Sequence, residues 1–253
     1  MKKKILAIGN TDNLDGVPVD INAYLYHFLS PAGGLWNSDE ITLLMNPTQR
    51  ELLDTITDIE EADNDYVIVL FSGHGYEADG ETILTINWQG EEIALNELMN
   101  LSPRQLLILD CCRVDMESLE ESIILEEIEA MLSLSRNPIQ KAYEERILDS
   151  IPQKIVLQAC DEGEPAMDSR MGGIYAQYLL DATQIALDKS HSPFITVGSA
   201  HRRAVSLMRQ DPDVDQHPRI QQPLCGLYRR LPFAINPNFW QTEQSQNMLT
   251  LSR

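Results

Sequence analysis

Apolar and polar positions follow two rhythms that take turns along this chain. Short runs rich in β-branched residues, at Ile5–Ile8, Ile41–Met45, Tyr66–Phe71, Gln105–Leu109 and Ile155–Gln158, have the length and composition of buried strands. Between and after them, apolar residues recur at helical spacing. Asp20–Leu29 sets Ile21, Leu25 and Phe28 on one face, and Pro47 with Thr48 opens a helix through Ile59. Gly173–Leu187 and Val197–Arg209 read as two further helices. Glu81–Trp88 and Glu92–Ile93 read as a small hairpin, Leu95–Asn100 as a short helix, and Gln222–Tyr228 as a last strand. Alternating strand and helix units predict an α/β fold, a mostly parallel central sheet flanked by helices on both faces.

Two of the strand runs end in reactive residues. Tyr66–Phe71 is followed by Ser72-Gly73-His74-Gly75, and Gln105–Leu109 by Asp110-Cys111-Cys112-Arg113. Chemistry in open α/β sheets collects at the carboxyl ends of the strands, so one strand delivers a histidine and the other a cysteine to that edge. A thiol is only a few per cent ionised at neutral pH and needs a base beside it to act as a nucleophile. Gly73 and Gly75 allow close backbone approach, and the amides of Gly75 and of the cysteine can both face a developing oxyanion. Side chains alternate along a strand, so only one of Cys111 and Cys112 can meet His74. The competing reading makes His74 a strand end and both cysteines small core residues.

Composition narrows the classes. With 253 residues, 43% hydrophobic and 23% charged, the chain is long enough for one α/β domain with a full core. A formal charge of −20 disfavours nucleic acid as a partner and mildly favours basic substrates through long-range steering. Four cysteines without paired spacing do not suggest a disulfide framework. Met1-Lys2-Lys3-Lys4 with Ile5–Gly9 imitates a signal peptide, but the apolar run is too short. No stretch suits a membrane span, so the cytoplasm is the expected compartment.

The two motifs together resemble the caspase-like cysteine peptidases, and more closely their prokaryotic metacaspase-like (orthocaspase) branch. Leu157-Gln158-Ala159-Cys160 with the acidic turn Asp161–Asp168 and Gly172-Gly173-Ile174-Tyr175 is similar to that family's next core strand and helix start. Gln222-Pro223 through Gly226 to Leu231-Pro232-Phe233 resembles its closing strand region. The resemblance implies the caspase–haemoglobinase fold over one catalytic domain, residues 1–253. It also implies a thiol protease with His74 as base, Cys112 as nucleophile, and the Gly75 and Cys112 amides as the oxyanion hole. Leu14-Asp15-Gly16-Val17-Pro18-Val19-Asp20 resembles a family motif that puts a carboxylate at the pocket, with Val17 where the family has cysteine. Asp20, Ser72 and Asp110 would then bind the substrate, two carboxylates holding an Arg or Lys side chain. The reading of Asp20 from its own neighbours is the N-cap of the helix it opens.

Residues 113–153 do not alternate. Asp115–Glu129 carries seven acids and no base, with Met116, Leu119, Ile123, Ile124 and Ile128 at near-helical spacing, and a second helix is expected at Ile139–Leu148. In the family this position holds a linker cut on maturation, which makes Arg136 the processing candidate, with Lys141 and Arg146 behind it. The competing reading is an uncut helical hairpin. Calcium needs roughly six to eight oxygens, and Glu91, Glu92 and Glu97 are not clustered, so neither a metal nor another cofactor is expected. Asp161, Glu162, Glu164 and Asp168 read as a loop near the cleft, and His201-Arg202-Arg203 as a solvated helix face. Cys160 and Cys225 read as structural.

The expected partner is a protein substrate, which the resemblance links to regulated cell death or antiphage defence with a pore-forming target, and an activator protein is compatible with it. The alternatives are a silent or activator-dependent binding module, a hydrolase of non-peptide amides, a peptidase preferring a neutral side chain, and a redox or metal role for Cys111-Cys112. Adjacent cysteines make a poor disulfide or chelate.

Overall fold

The computed structural model describes residues 1–78, 80–112, 138–164, 166–167, 171–189 and 192–240, without the side chains of Cys112 and Tyr228. The strands are Lys3–Gly9 (β1), Ile41–Met45 (β2), Tyr66–Ala78 (β3), Glu81–Thr85 (β4), Glu92–Ala94 (β5), Arg104–Cys112 (β6), Gln153–Gln158 (β7), Phe194–Thr196 (β8), Arg219–Gln221 (β9) and Pro232–Ile235 (β10). The helices are Val17–Leu29 (α1), Gln49–Glu61 (α2), Pro138–Leu148 (α3), Ile174–Lys189 (α4) and Val197–Met208 (α5). The main sheet runs β2-β1-β3-β6-β7-β9. Its first five strands are parallel, β9 is antiparallel to β7, and β4 with β5 extends the far end of β3. A separate pair joins β8 to β10.

The parallel strands read as continuous apolar runs because both their faces are covered. Ile68, Leu70, Leu106, Ile108, Ile155 and Leu157 pack with residues of α1, α3, α4 and α5. Their neighbours Val67, Val69, Leu107 and Leu109 face the other way, towards Leu52, Ile56 and Ile59 of α2. The mixed α/β architecture with a mostly parallel sheet is the one expected from the alternation.

Four expectations need correction. β3 does not stop at Phe71; beyond Gly73 it exchanges a parallel neighbour for the antiparallel β4, starting at His74 opposite Thr85, so the reactive residues lie within a strand. Helix α1 starts at Val17 rather than Asp20. Gly16 is its N-cap and Pro18 sits in the first turn, where a missing amide hydrogen costs nothing. The strand expected at Gln222–Tyr228 is instead the short β9 ahead of it, and Leu227–Arg229 form a 3-10 turn before β10. Pro223 cannot donate to a ladder, which fits the strand ending at Gln221. Finally, His201 is not on a solvated face; it is buried, with Nδ1 2.9 Å from the Tyr175 hydroxyl.

The expected acidic helix around Asp115–Glu129 and the candidate cut at Arg136 lie outside the described residues. The helix expected at Ile139–Leu148 is α3.

Burial lowers the pKa of both His27 and His201 to about 4, in His27 against a hydrogen bond to the Phe233 carbonyl and in His201 aided by Arg202. Both are therefore neutral when folded and bind protons more readily when unfolded. Stability from these groups is complete above pH 6.5 and is lost as pH falls towards 4. The melting temperature should drop steadily between pH 7 and 5, with each histidine costing on the order of 2 kcal/mol at pH 5. A flat profile over that range, read by calorimetry, would contradict it.

Candidate active site

The candidate site is centred on the ladder between β3 and β6. Parallel register sets His74 opposite Cys112, Gly73 opposite Cys111, and Ser72 opposite Asp110. His74 is half-buried, and its Nε2 lies 2.5 Å from the backbone carbonyl of Asp12. A carbonyl only accepts, so Nε2 carries the hydrogen and Nδ1 is left as the acceptor of the neutral ring. That is the tautomer that can take a proton from a thiol. Sequence reasoning missed Asp12, because the group involved is a backbone carbonyl that any residue would supply.

The loop bearing Asp12 is fixed from β3 and β4. The Asn10 amide donates to Ser72 O (2.9 Å), Asn10 Nδ2 donates to Thr85 O (2.8 Å), and Asp12 N donates to Asn10 Oδ1 (3.0 Å). Gly73 makes room for it. A Cβ there would lie 2.9 Å from Asn10 Cβ, so any side chain would push the loop away from His74.

The two adjacent cysteines are separated by strand alternation. Cys111 is buried in the α2-side cluster, where a Cβ on Gly75 would lie 3.3 Å from its Sγ. Cys112 is the residue the ladder sets opposite His74. Gly75 lies in β3 opposite Leu84 of β4. Cys160 is buried in the α1-side core and Cys225 is half-buried.

Asp20, Ser72 and Asp110 also come together. The Ser72 hydroxyl donates to Asp20 Oδ2 (3.0 Å), and the Gly173 amide donates to Asp20 Oδ1 (2.7 Å). Asp20 thus does not cap its own helix. It reaches across to the residue before α4, where an anion is favoured by the helix dipole. Asp110 is on the same side, its Oδ1 2.7 Å from where a Cβ on Gly173 would stand; at Gly172, with φ of +93°, a Cβ would lie 2.4 Å from Asp20 Oδ1. The Gly172-Gly173 pair is therefore what lets the backbone lie on two carboxylates. Both acids are buried, at 4% and 3% exposure. Tyr24, one turn beyond Asp20 on α1, and Tyr175 on α4 complete the surround. Burial first, and the Asp110 charge next, hold both phenols well above their usual pKa, so both stay protonated. Sequence reasoning passed over Tyr24 because its position reads as an ordinary core position of α1.

Other expected residues fall elsewhere. Asp161 pairs with Arg219, and Glu164 with His217, so this acidic turn after β7 is tied to β9 and the loop before it. Among the described residues no three His, Cys, Asp or Glu are arranged to hold a metal ion. Arg146 is partly buried and donates to the carbonyls of Leu227 and Arg230, whereas Lys141 is exposed beside Glu145. No helix among the described residues is long and apolar enough to cross a membrane.

The comparisons with known proteins bear on the family and the fold. The family profile described as the caspase domain matches residues 2–227. Among solved structures, a crystal structure of a protein from Geobacter sulfurreducens superposes with a TM-score of 0.57 at 16% identity, over 93% of this chain and 99% of that one. At that identity the likeness speaks for the fold alone. A comparison with curated proteins found no match.

Proposed function

Because the chain belongs to the caspase-domain family of cysteine peptidases, we propose that it is an endopeptidase working through Cys112 and His74 and cutting after a basic residue. The observation that carries the reading is the β3–β6 register, which sets His74 opposite Cys112 while Cys111 is buried on the other face. In the proposed mechanism, His74 Nδ1 takes the proton of the Cys112 thiol, and the Asp12 carbonyl holds the ring through Nε2. The thiolate attacks the scissile carbonyl, and the amides of Gly75 and Cys112 stabilise the oxyanion. The imidazolium then protonates the leaving amine. In the second half, His74 draws a proton from water, which attacks the thioester and releases the new carboxyl end.

Asp20 and Asp110, with Ser72 between them, form the proposed seat for an Arg or Lys side chain. Two carboxylates match the fork of a guanidinium by charge-assisted hydrogen bonds. The test is turnover of fluorogenic peptides ending in Arg, Lys, Asp or Leu, with and without calcium. Arg and Lys peptides should be cut and the others spared, with calcium immaterial. Preference for Leu or Asp would sink the pocket assignment while leaving the dyad standing.

One observation favours a second reading, dependence on an activator. Both pocket acids are buried beneath Gly172-Gly173, so a substrate side chain reaches them only if the start of α4 gives way. Silence on every peptide, relieved by a partner protein, would support that reading. The proposed setting is cytoplasmic cleavage of a protein target in regulated cell death or antiphage defence, a role that rests on family resemblance; Arg136 is the proposed site of self-processing.

A further inference from the structure

Two hollows lie away from the dyad, in the groove between α5 and β9. They adjoin, with volumes of about 690 and 340 Å³, and share Val205, Arg209, Pro218 and Arg219. The charge of this groove is out of keeping with the chain. Against a net −20, residues 194–210 hold three arginines and no acid. Arg202 and Arg209 line the groove two helical turns apart, about 10 Å along α5. Both are exposed, and neither guanidinium makes a hydrogen bond or ion pair within the described residues. The acids at the lower end are engaged, Asp161 with Arg219 and Glu164 with His217. Val205 and Ile220 supply apolar floor.

The groove is also mechanically joined to the reactive edge. Gln216 is buried in the loop before β9, donates through Nε2 to Ala159 O (2.6 Å), and accepts from Met167 N (3.0 Å). It therefore clamps the turn that follows β7, whose neighbour in the sheet is β6. Arg219 lies opposite Gln158, the last residue of β7.

We propose that the α5–β9 groove is an exosite that holds an acidic segment of the protein substrate, with carboxylates seated on Arg202 and Arg209. This rests on the peptidase reading for the word substrate, but not for the binding itself. Guanidiniums some 10 Å apart suit carboxylates spaced about three residues apart on an extended chain, which rises roughly 3.3 Å per residue. A compact polyphosphate would meet Asp161 and Glu164 as well as the arginines. Elsewhere the −20 charge repels an acidic segment, so the groove confers selectivity by being the exception.

The test begins with a fluorescein-labelled peptide bearing Glu at every third position and no Lys or Arg, titrated with the full chain and read by anisotropy. Binding should weaken by roughly tenfold in the R202A/R209A double variant, as expected for two partly exposed guanidinium–carboxylate pairs. It should be unchanged in Arg203→Ala, since that arginine is exposed on the same helix but does not line the groove. Equal binding by the double variant, equal weakening by Arg203→Ala, or displacement by tripolyphosphate at lower concentration than by unlabelled peptide would each overturn the exosite. A second arm joins the acidic segment to a cleavable Arg peptide. Its KM should fall in the wild type and not in the double variant, with kcat the same in both. No turnover of either peptide while the anisotropy result holds would break the peptidase reading and leave the groove; equal KM in both proteins would break the substrate assignment.

Discussion

Cys112→Ala should yield a folded protein whose turnover falls by on the order of 10⁴-fold or more, while Cys111→Ala should remain an active enzyme. The two residues are neighbours in sequence, so composition cannot separate them, but the ladder can. Cys112 is set opposite His74, whereas Cys111 is buried with Val69, Leu84 and Leu109 on the α2 side of the sheet. Truncating Cys111 removes one sulfur from a packed cluster, which costs stability of about 1 kcal/mol and leaves the nucleophile in place. His74→Ala should match Cys112→Ala in activity, because nucleophile and base act as one unit and their losses are not additive. The double variant should then be little worse than either single one. The measurements are initial rates on an Arg peptide beside thermal melts. A reversal of the two cysteines, with Cys111→Ala silent at an unchanged melting temperature, would move the nucleophile to the wrong face and overturn the register argument.

What could be read in the sequence follows from which contacts are local. The five parallel strands and most helices are written in apolar runs and periodicity, because burial on both faces leaves a continuous signal at Ile5–Ile8 or Leu106–Leu109. His74 was legible by its flanking glycines, and Gly73 is needed because a Cβ there would meet Asn10. The errors share a cause, namely partners far away in sequence. β3 continues past Phe71 because β4 is there to pair with it, which no pattern within β3 states. The competing reading of Asp20 as an N-cap came from the apolar run it precedes, yet its carboxylate serves Gly173, more than 150 residues later. His201 looked solvated because two arginines follow it, but the buried Tyr175 hydroxyl takes its ring. The Asp12 carbonyl leaves no trace in any side chain at all.

The second large effect is expected from the charge of the acid pair. Asp20→Asn and Asp110→Asn should each lower kcat/KM for an Arg peptide by roughly 10²- to 10³-fold, the range for breaking a buried, hydrogen-bonded ion pair. Asparagine is the right substitution at position 20 because the site can accept it. The Gly173 amide must donate, so Asn Oδ1 takes that bond, and Asn Nδ2 then donates to the Ser72 hydroxyl, which can turn from donor to acceptor. Shape and these two hydrogen bonds are kept while the negative charge is lost. Asp20→Ala would instead orphan the Gly173 amide and the Ser72 hydroxyl, at about 1–3 kcal/mol for each buried group left unsatisfied, so its effect on activity would be confounded with folding. The decisive comparison is between substrates. If the acids hold a basic side chain, Asp20→Asn loses Arg and Lys peptides while any slow turnover of a Leu peptide is preserved or improved. A parallel loss on all peptides, at a normal melting temperature, would assign Asp20 to positioning Gly173 and the start of α4, and the pocket would have to be sought elsewhere along the β3–β6 edge.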